Sequence, residues 1–359
     1  MFVAWRDLGF ARGRFALMGG VIALITVLVG LLSGLTAGLE RENTSAITGL
    51  SADRLVFSAP AGGGDPSFTD SRLSARTVAA WERVPGVREA APLGIAPAKA
   101  AAGGRSAAVS AFGVRPGSGP APAGVEDGAV VLSRKAAEAL GVRDGGTLTL
   151  GGRTRTVAEV SGTAMYSHTP VVWMSLDDWR GLAGGPGAAG GPAATVLALS
   201  TTGSADVAAA DARLGTRTVG TNDALQAIGS YRAENGSLQL MRGFLFVISA
   251  LVIGAFFTVW TIQRSGEVAV LKALGASTGL LLRDALGQAL VLLLLGTGLG
   301  SAVVAAVGAG LGSAVPFVLA PSTVLAPALI MTALGAVGAA LAVRRITSVD
   351  PLTALGSAR

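Results

Sequence analysis

Cysteine is absent from the sequence, histidine occurs once and lysine three times. Without cysteine the chain can form no disulfide, iron–sulfur cluster, thiolate zinc site, cysteine nucleophile or lipoprotein anchor. With His168 alone, a multi-histidine metal site is excluded. None of the lysines, Lys99, Lys135 and Lys272, follows a glycine. The Gly-x-x-x-x-Gly-Lys-Ser/Thr loop that cradles nucleotide phosphates is therefore missing. The acidic pairs Glu126-Asp127 and Asp177-Asp178 read as solvated turns or helix starts, and His168 as part of a loop before a strand. None of them forms a recognisable catalytic set.

Charge is also scarce. Charged residues make up 14% of the chain and hydrophobic residues 51%, with a mean hydropathy of +0.59. That balance belongs to a membrane protein. The pI near 10.6 raises the question of nucleic acid, and the placement of charge answers it. Residues 1–15, 263–284 and 344–359 together hold nine basic and four acidic residues, whereas 39–242 holds 19 basic and 18 acidic. The positive excess borders the apolar runs, as it does on the inner face of membrane proteins, and forms no nucleic-acid footprint.

Residues 16–38 are free of charge and long enough at 1.5 Å per residue to cross the ~30 Å hydrocarbon core. The run is too long for a signal peptide and lacks a clear Ala-x-Ala site, so it is expected to be an anchor. Gly30, Gly34 and Gly38 recur at four-residue spacing, a pattern suited to close helix approach, although glycine is common in this chain. Residues 1–15 read either as an amphipathic interfacial helix or as a plain charged flank. A second span is expected over 243–262, with Trp260 either in the interfacial aromatic belt or simply packed. Residues 285–343 are again uncharged. Pro316 and Pro321 divide them into spans at 285–311 and 323–343 around a short outer loop, 312–322. The spans contain no Asp, Glu, Lys, Arg or His, which argues against proton- or ion-coupled transport.

Residues 39–220 differ in kind. Short apolar runs alternate with Gly, Pro, Ser and Thr. Strands are expected at Arg54–Ala59, Arg105–Val114, Gly128–Ser133, Val171–Met174, Ala194–Ser200 and Arg217–Val219. Helices are expected at Ser74–Val84, Arg134–Leu140, around Leu176–Leu182 and Asp206–Leu214. Gly146–Leu150 and Thr154–Val160 flank Gly151-Gly152, a two-residue hairpin signal. The expectation is an α+β domain large enough to fold independently. Gly184–Pro192 reads as a loop. Residues 221–242 read as a stalk helix starting at Thr221 or Asn222 and feeding the second span.

Between the second and third spans lies a compact mixed-charge segment, 263–284. Val268, Leu271 and Leu274 recur at three-residue spacing, Glu267 and Lys272 fall on other faces, and Gly275-Ala276-Ser277 ends the helix. Read from its residues, the segment fits equally a solvated inner loop or a docking helix parallel to the membrane.

Arg264, Glu267, Val268, Val270, Leu271, Lys272, Ala273, Leu274, Gly275, Ala276 and Ser277 resemble a pattern of the FtsX-like, MacB-type ABC transporter permeases. That pattern runs Arg-x-x-Glu-Ile-Ala-Ile-Leu-Arg-Ala-Leu-Gly-Ala-Ser/Thr. Ser265-Gly266 departs from it, and Lys272 stands where Arg is frequent. The ending from Arg344-Arg345 through Asp350, Pro351 and Leu355 resembles the family's basic residues and Asp-Pro-x-x-Ala-Leu box. Ser133, Leu140-Gly141, Val142 and Asp144-Gly145 match a segment of the MacB-like periplasmic core domain. The resemblance covers about 241–355 most strongly.

The resemblance implies four transmembrane helices with a large extracytoplasmic α+β domain between the first two, and both termini in the cytoplasm of a bacterial cell. It implies a non-catalytic permease subunit, with ATP and Mg bound by a separate ABC ATPase and no cofactor in this chain. A homodimer or heterodimer with a second permease, and an accessory envelope protein, are further expectations. Arg264, Glu267, Val268, Leu271, Lys272, Leu274, Gly275, Ala276 and Ser277 are the implied ATPase-coupling residues. Asp350 and Pro351 are a further contact, and Gly30, Gly34 and Gly38 a helix-packing face. The implied output is export of an envelope or outer-leaflet substrate by mechanotransmission. Activation of a cell-wall hydrolase, or a sensor or scaffold working without an ATPase, are the alternatives.

Overall fold

A computed structural model describes residues 12–60, 62–183, 191–264, 266, 270–272, 274–312 and 315–347. The expected amphipathic segment falls almost wholly outside them, as do Glu267, Val268, Asp350, Pro351 and most of the 184–192 loop.

In chain order, α1 (Arg12–Thr48) leads to β1 (Arg54–Ser58), α2 (Ala75–Trp81), β2 (Val87–Ala102), β3 (Arg105–Val114) and β4 (Ala129–Leu132). Next come α3 (Arg134–Leu140), β5 (Thr147–Leu150), β6 (Arg153–Val160), β7 (Met165–Tyr166), β8 (Thr169–Ser175) and α4 (Leu176–Ala183). The chain continues with β9 (Val196–Thr201), α5 (Val207–Leu214), β10 (Thr216–Gly220) and a 3-10 turn at Asp223–Ala227. It closes with α6 (Gly229–Gln263), α7 (Thr278–Gly310) and α8 (Pro321–Thr347). Two compact units result, Met1–Gly38 with Ser237–Arg359, and Leu39–Gly236.

Among the described residues, four helices are long and apolar enough to cross a membrane: Phe15–Thr48, Gly229–Gln263, Thr278–Gly310 and Pro321–Val343; the first unit holds most of their length. Most of their hydroxyls bond back to the helix backbone, while the buried Ser33 hydroxyl has no partner among the described residues. Thr26 donates to the Ile22 carbonyl at 2.7 Å and Thr297 to that of Leu293 at 2.7 Å, so neither presents an unmet donor to lipid. Phe15, Ile22, Phe257, Trp260, Leu293 and Met331 meet in the shared core. Leucines such as Leu24, Leu251, Leu295 and Leu329 point outward, as an apolar solvent allows.

The second unit is an α+β domain around one sheet, ordered β10-β1-β9-β2-β3-β8-β4-β6-β5. β5 also pairs with β2 through Ala100↔Leu150, so β2, β3, β8, β4, β6 and β5 form a closed ring. The β3–β8 and β4–β6 pairs are parallel and their neighbours antiparallel. Inside, Trp179 of α4 lies over Gly94 and Gly113, where an added Cβ would stand 2.2 and 2.3 Å from its atoms. A second core holds Phe57, Phe68, Phe112, Tyr166 and Trp173 in edge-to-face contact, with centroids 4.9 to 5.8 Å apart. Ala46 and Ile47 of α1, Ile228, and Tyr231 of α6 pack into this same core.

The expected hairpin is present. Gly151 and Gly152 take φ of 58° and 76°, the left-handed pair that a tight primed turn requires. The helix expected from Thr221 differs. Asp223–Ala227 is a 3-10 turn, Ile228 is extended (φ −82°, ψ 112°), and α6 begins at Gly229. Ala224, Ala227 and Ile228 are buried in the domain core. Burying them there breaks the helical path that local sequence favours. Two strands were not anticipated, the 16-residue β2 and the two-residue β7.

Candidate coupling site

The site is built where α6 ends. Trp260, on its last turn, is packed between Phe15 and Phe257 with centroids 6.4 and 6.1 Å away. One turn on, the Arg264 guanidinium carbon lies 5.2 Å from the centre of the Trp260 ring. Such a cation–π contact contributes on the order of 0.5–2 kcal/mol. Arg264 also donates to the side-chain oxygen of Gln288 on α7. Gln288 in turn donates to Asp284 at 3.1 Å. Gln288 is fully buried, so its amide needs these partners. A cation, an indole and a buried amide thus fix the exit of α6 against the first turns of α7.

The segment between the two helices ends in a defined turn. The Ala276 N–H donates to the Leu271 carbonyl at 3.0 Å, and the Gly275 N–H to that of Lys272 at 3.1 Å. This paired closure is the Schellman motif, which places the next-to-last residue in the left-handed region. Gly275 occupies that position with φ of 94°. Ser277 then starts α7, its hydroxyl accepting from the Leu280 N–H at 3.4 Å. The turn leaves Val270, Leu271 and Leu274 uncovered, Leu274 at 80% exposure. An apolar ridge held by a rigid stop beside a basic Lys272 can dock in a groove on another protein. Of the expected coupling residues, the described ones Arg264, Leu271, Lys272, Leu274, Gly275, Ala276 and Ser277 fall in this one stretch. Glu267 and Val268 lie outside the described residues.

Gly30, Gly34 and Gly38 of α1 lie elsewhere. An added Cβ on Gly30 would meet Val304 of α7 at 2.7 Å, and one on Gly34 would meet the Phe317 ring at 2.3 Å. Gly38 faces Pro316. The glycine face therefore packs within the chain, against α7 and the turn before α8. Gln288 and Phe317 were not singled out from sequence. A glutamine inside an apolar run and a phenylalanine after a proline were the available signals.

An open apolar groove of about 810 Å³ runs between α6 and α8, lined by residues that include Phe246, Leu251, Gly254, Leu334 and Leu341. Among the described residues, no group of three or more His, Cys, Asp and Glu side chains is placed to hold a metal ion.

Comparison with known proteins accounts for both units. The MacB-like periplasmic core domain family matches residues 15–217, and the FtsX-like permease C-terminal family matches residues 240–351. A Staphylococcus epidermidis protein named as hemin transport system permease protein HrtB is 25% identical over 363 residues, covering 99% of each chain. An uncharacterized ABC transporter permease of Mycobacterium bovis is 27% identical over 369 residues, again with 99% of each chain covered. The crystal structure of the periplasmic region of MacB from Actinobacillus actinomycetemcomitans aligns with a TM-score of 0.36 at 12% identity, over 51% of this chain and 95% of that one.

Proposed function

Because the chain belongs to the family of ABC transporter permeases with a MacB-like periplasmic core and an FtsX-like C-terminal region, we infer that it is driven by a separate ATPase through the segment between α6 and α7. It is a multipass membrane protein and the permease subunit of an ABC system. The sequence has no phosphate-binding loop of its own, so ATP and Mg belong to the partner. In this reading the ATPase grips the ridge of Val270, Leu271 and Leu274, and its closure displaces the end of α6. The helix carries the displacement along its length, since α6 is one continuous helix from Gly229 to Gln263. The outer domain then does the work, and no substrate passes between the four spans.

The observation that carries this reading is the exposed ridge held against the Gly275 turn. A solvated loop needs neither a fixed stop nor three outward apolar side chains. Placement in the cytoplasmic membrane, with both ends inside, follows from the basic residues that flank the spans. Two copies of the permease would present two such ridges to two ATPase subunits.

Export or extrusion is the favoured output. The full-length relative named for hemin transport supports it, and an amphipathic substrate taken from the outer leaflet or envelope suits a chain whose spans carry no ionisable residue. Activation of a cell-wall hydrolase is the second output that this machinery could drive. The test is ATP hydrolysis by a co-expressed ABC ATPase partner, measured in nanodiscs with and without the permease. Stimulation by the wild type and its loss in Glu267→Lys support the reading. Unchanged association and unchanged stimulation in that variant would sink it.

A further inference from the structure

Residues 243–262 of α6 and 323–343 of α8 carry no charge, and the groove between these helices has apolar walls. The walls meet at Gly254 and Gly338, where an added Cβ on Gly338 would stand 3.3 Å from the Gly254 Cα. Small side chains at Ala250 and Ala255 keep the hollow open. Its volume of about 810 Å³ lies within the range of sites that hold small molecules, roughly 300–1,000 Å³. From Phe246 to Thr258 it follows α6 for about 18 Å at 1.5 Å per residue. That is close to half the ~30 Å hydrocarbon core, the depth that one acyl chain occupies.

Arg242 stands one turn before Phe246, toward the end of α6 that leads into the α+β domain. Residues four apart share a helix face, so Arg242 is placed at the mouth of the groove. It is half-buried and is flanked by the exposed Leu240, Met241 and Phe244. The long stem of such a side chain lets its charge reach the phosphate level of a bilayer. Among the described residues it forms no ion pair or hydrogen bond. The neighbouring charges are committed elsewhere. Glu234 lies 2.9 Å from His168 Nε2 and 3.1 Å from the Asn43 amide. Arg232 pairs with Asp65 at 3.4 Å, and Arg41 donates to Thr163 at 3.2 Å. A cation without a counter-ion, at one end of an uncharged hollow one leaflet deep, is the complement of an amphiphile with an anionic head and an apolar tail.

We propose that the groove between α6 and α8 is a binding site for an anionic phospholipid from the leaflet on the domain side, with its head at Arg242 and one acyl chain over Ala250 and Gly254. The planar guanidinium donates two parallel hydrogen bonds to a phosphate. A zwitterionic lipid brings its own ammonium to that phosphate and gains less from Arg242. One basic residue at the membrane surface favours anionic lipid by about fivefold. The site stands whether or not the segment between α6 and α7 couples to an ATPase.

The test is native mass spectrometry of the full chain released from nanodiscs that hold equal amounts of phosphatidylglycerol and phosphatidylcholine with matched acyl chains. The wild type is expected to retain phosphatidylglycerol over phosphatidylcholine by about fivefold. Arg242→Gln should bring the ratio to about one, and Arg242→Lys should keep most of the preference. Ala250→Leu, which fills the hollow with an apolar side chain, should lower the retained lipid of both kinds severalfold. Melting curves of the variants confirm that each is folded. A wild type without preference, or Arg242→Gln retaining it, overturns the proposal, because the groove then holds only bulk lipid. A second copy of the chain is the competing occupant. The absence of cysteine lets Ala250→Cys report it: efficient crosslinking between two copies by a short bismaleimide would show the groove covered by protein and overturn the lipid site, whereas no crosslink supports it.

Discussion

Gly38 of α1 and the carbonyl of Pro316 are so close that a Cβ on the glycine would stand 1.7 Å from the carbonyl oxygen. The contact is part of a larger one. One turn earlier on α1, the Gly34 carbonyl accepts the Val318 N–H at 3.0 Å, and the Phe317 ring covers the Gly34 Cα. The turn before α8 is thus fastened to α1 by backbone, and only a residue without a side chain fits beneath it.

Gly38→Ala should therefore destabilise the chain by about 1–3 kcal/mol through overpacking. Gly20 of the same helix has nothing within 4 Å of its virtual Cβ. There the same change should be neutral or stabilising by up to about 1 kcal/mol from helix propensity. Thermal unfolding of the two variants in detergent separates them. Equal melting temperatures would mean that the turn is not packed on α1.

Gly275→Val places a β-branched residue at φ of 94°. The strain is about 1–2 kcal/mol or more, confined to a turn outside the helix cores. Global stability should change little, while stimulation of the ATPase should fall severalfold because the ridge loses its fixed stop. Both are read from one preparation by melting curve and hydrolysis rate. Full stimulation in this variant would detach the turn from coupling.

Tyr166 carries a pH dependence of known sign. Burial between the Phe68 and Phe112 rings pushes its phenol well above the ordinary range. The folded state thus favours the neutral phenol. Its contribution to stability is fully present below the unfolded value of about 10 and is lost as pH rises beyond it. Above about pH 10 the stability should fall more steeply for the wild type than for Tyr166→Phe, by up to about 1.4 kcal/mol per pH unit. Denaturant midpoints at several alkaline pH values give the slopes. Identical slopes would mean that the ring is solvated.

Elements with strong local signals were legible in the sequence. β3 was expected over Arg105–Val114 and α3 over Arg134–Leu140, and both are found there. β2 was hidden because alanine, proline and glycine dominate Val87–Ala102, and two prolines contradict a central strand. The pairing explains how they fit. Pro92 lies in the part of β2 that pairs with β9, before the β3 register begins at Leu93, and Pro97 lies where only β3 is paired. Each proline borders an unpaired edge, so its missing N–H costs no ladder bond. The strand switches partners midway, a tertiary property that no local window contains.

The site was partly legible for a similar reason. Arg264 and the Gly275 stop are adjacent in sequence, but Gln288 joins Arg264 only after α7 folds back. Likewise Glu42, His168 and Glu234 are separated by more than sixty residues at each step, and only the fold brings them together.

Coupling through this segment requires that the ridge before Gly275 touch an ATPase. A single cysteine at Leu274, in a chain that has none of its own, allows a direct test with a short bifunctional crosslinker in membranes containing the co-expressed ABC ATPase. The predicted result is a crosslinked product carrying both proteins from Leu274→Cys, and none from Leu325→Cys, which is also exposed but lies on α8. No product from Leu274→Cys, with the complex intact by co-purification, would contradict the assignment of this segment as the coupling site.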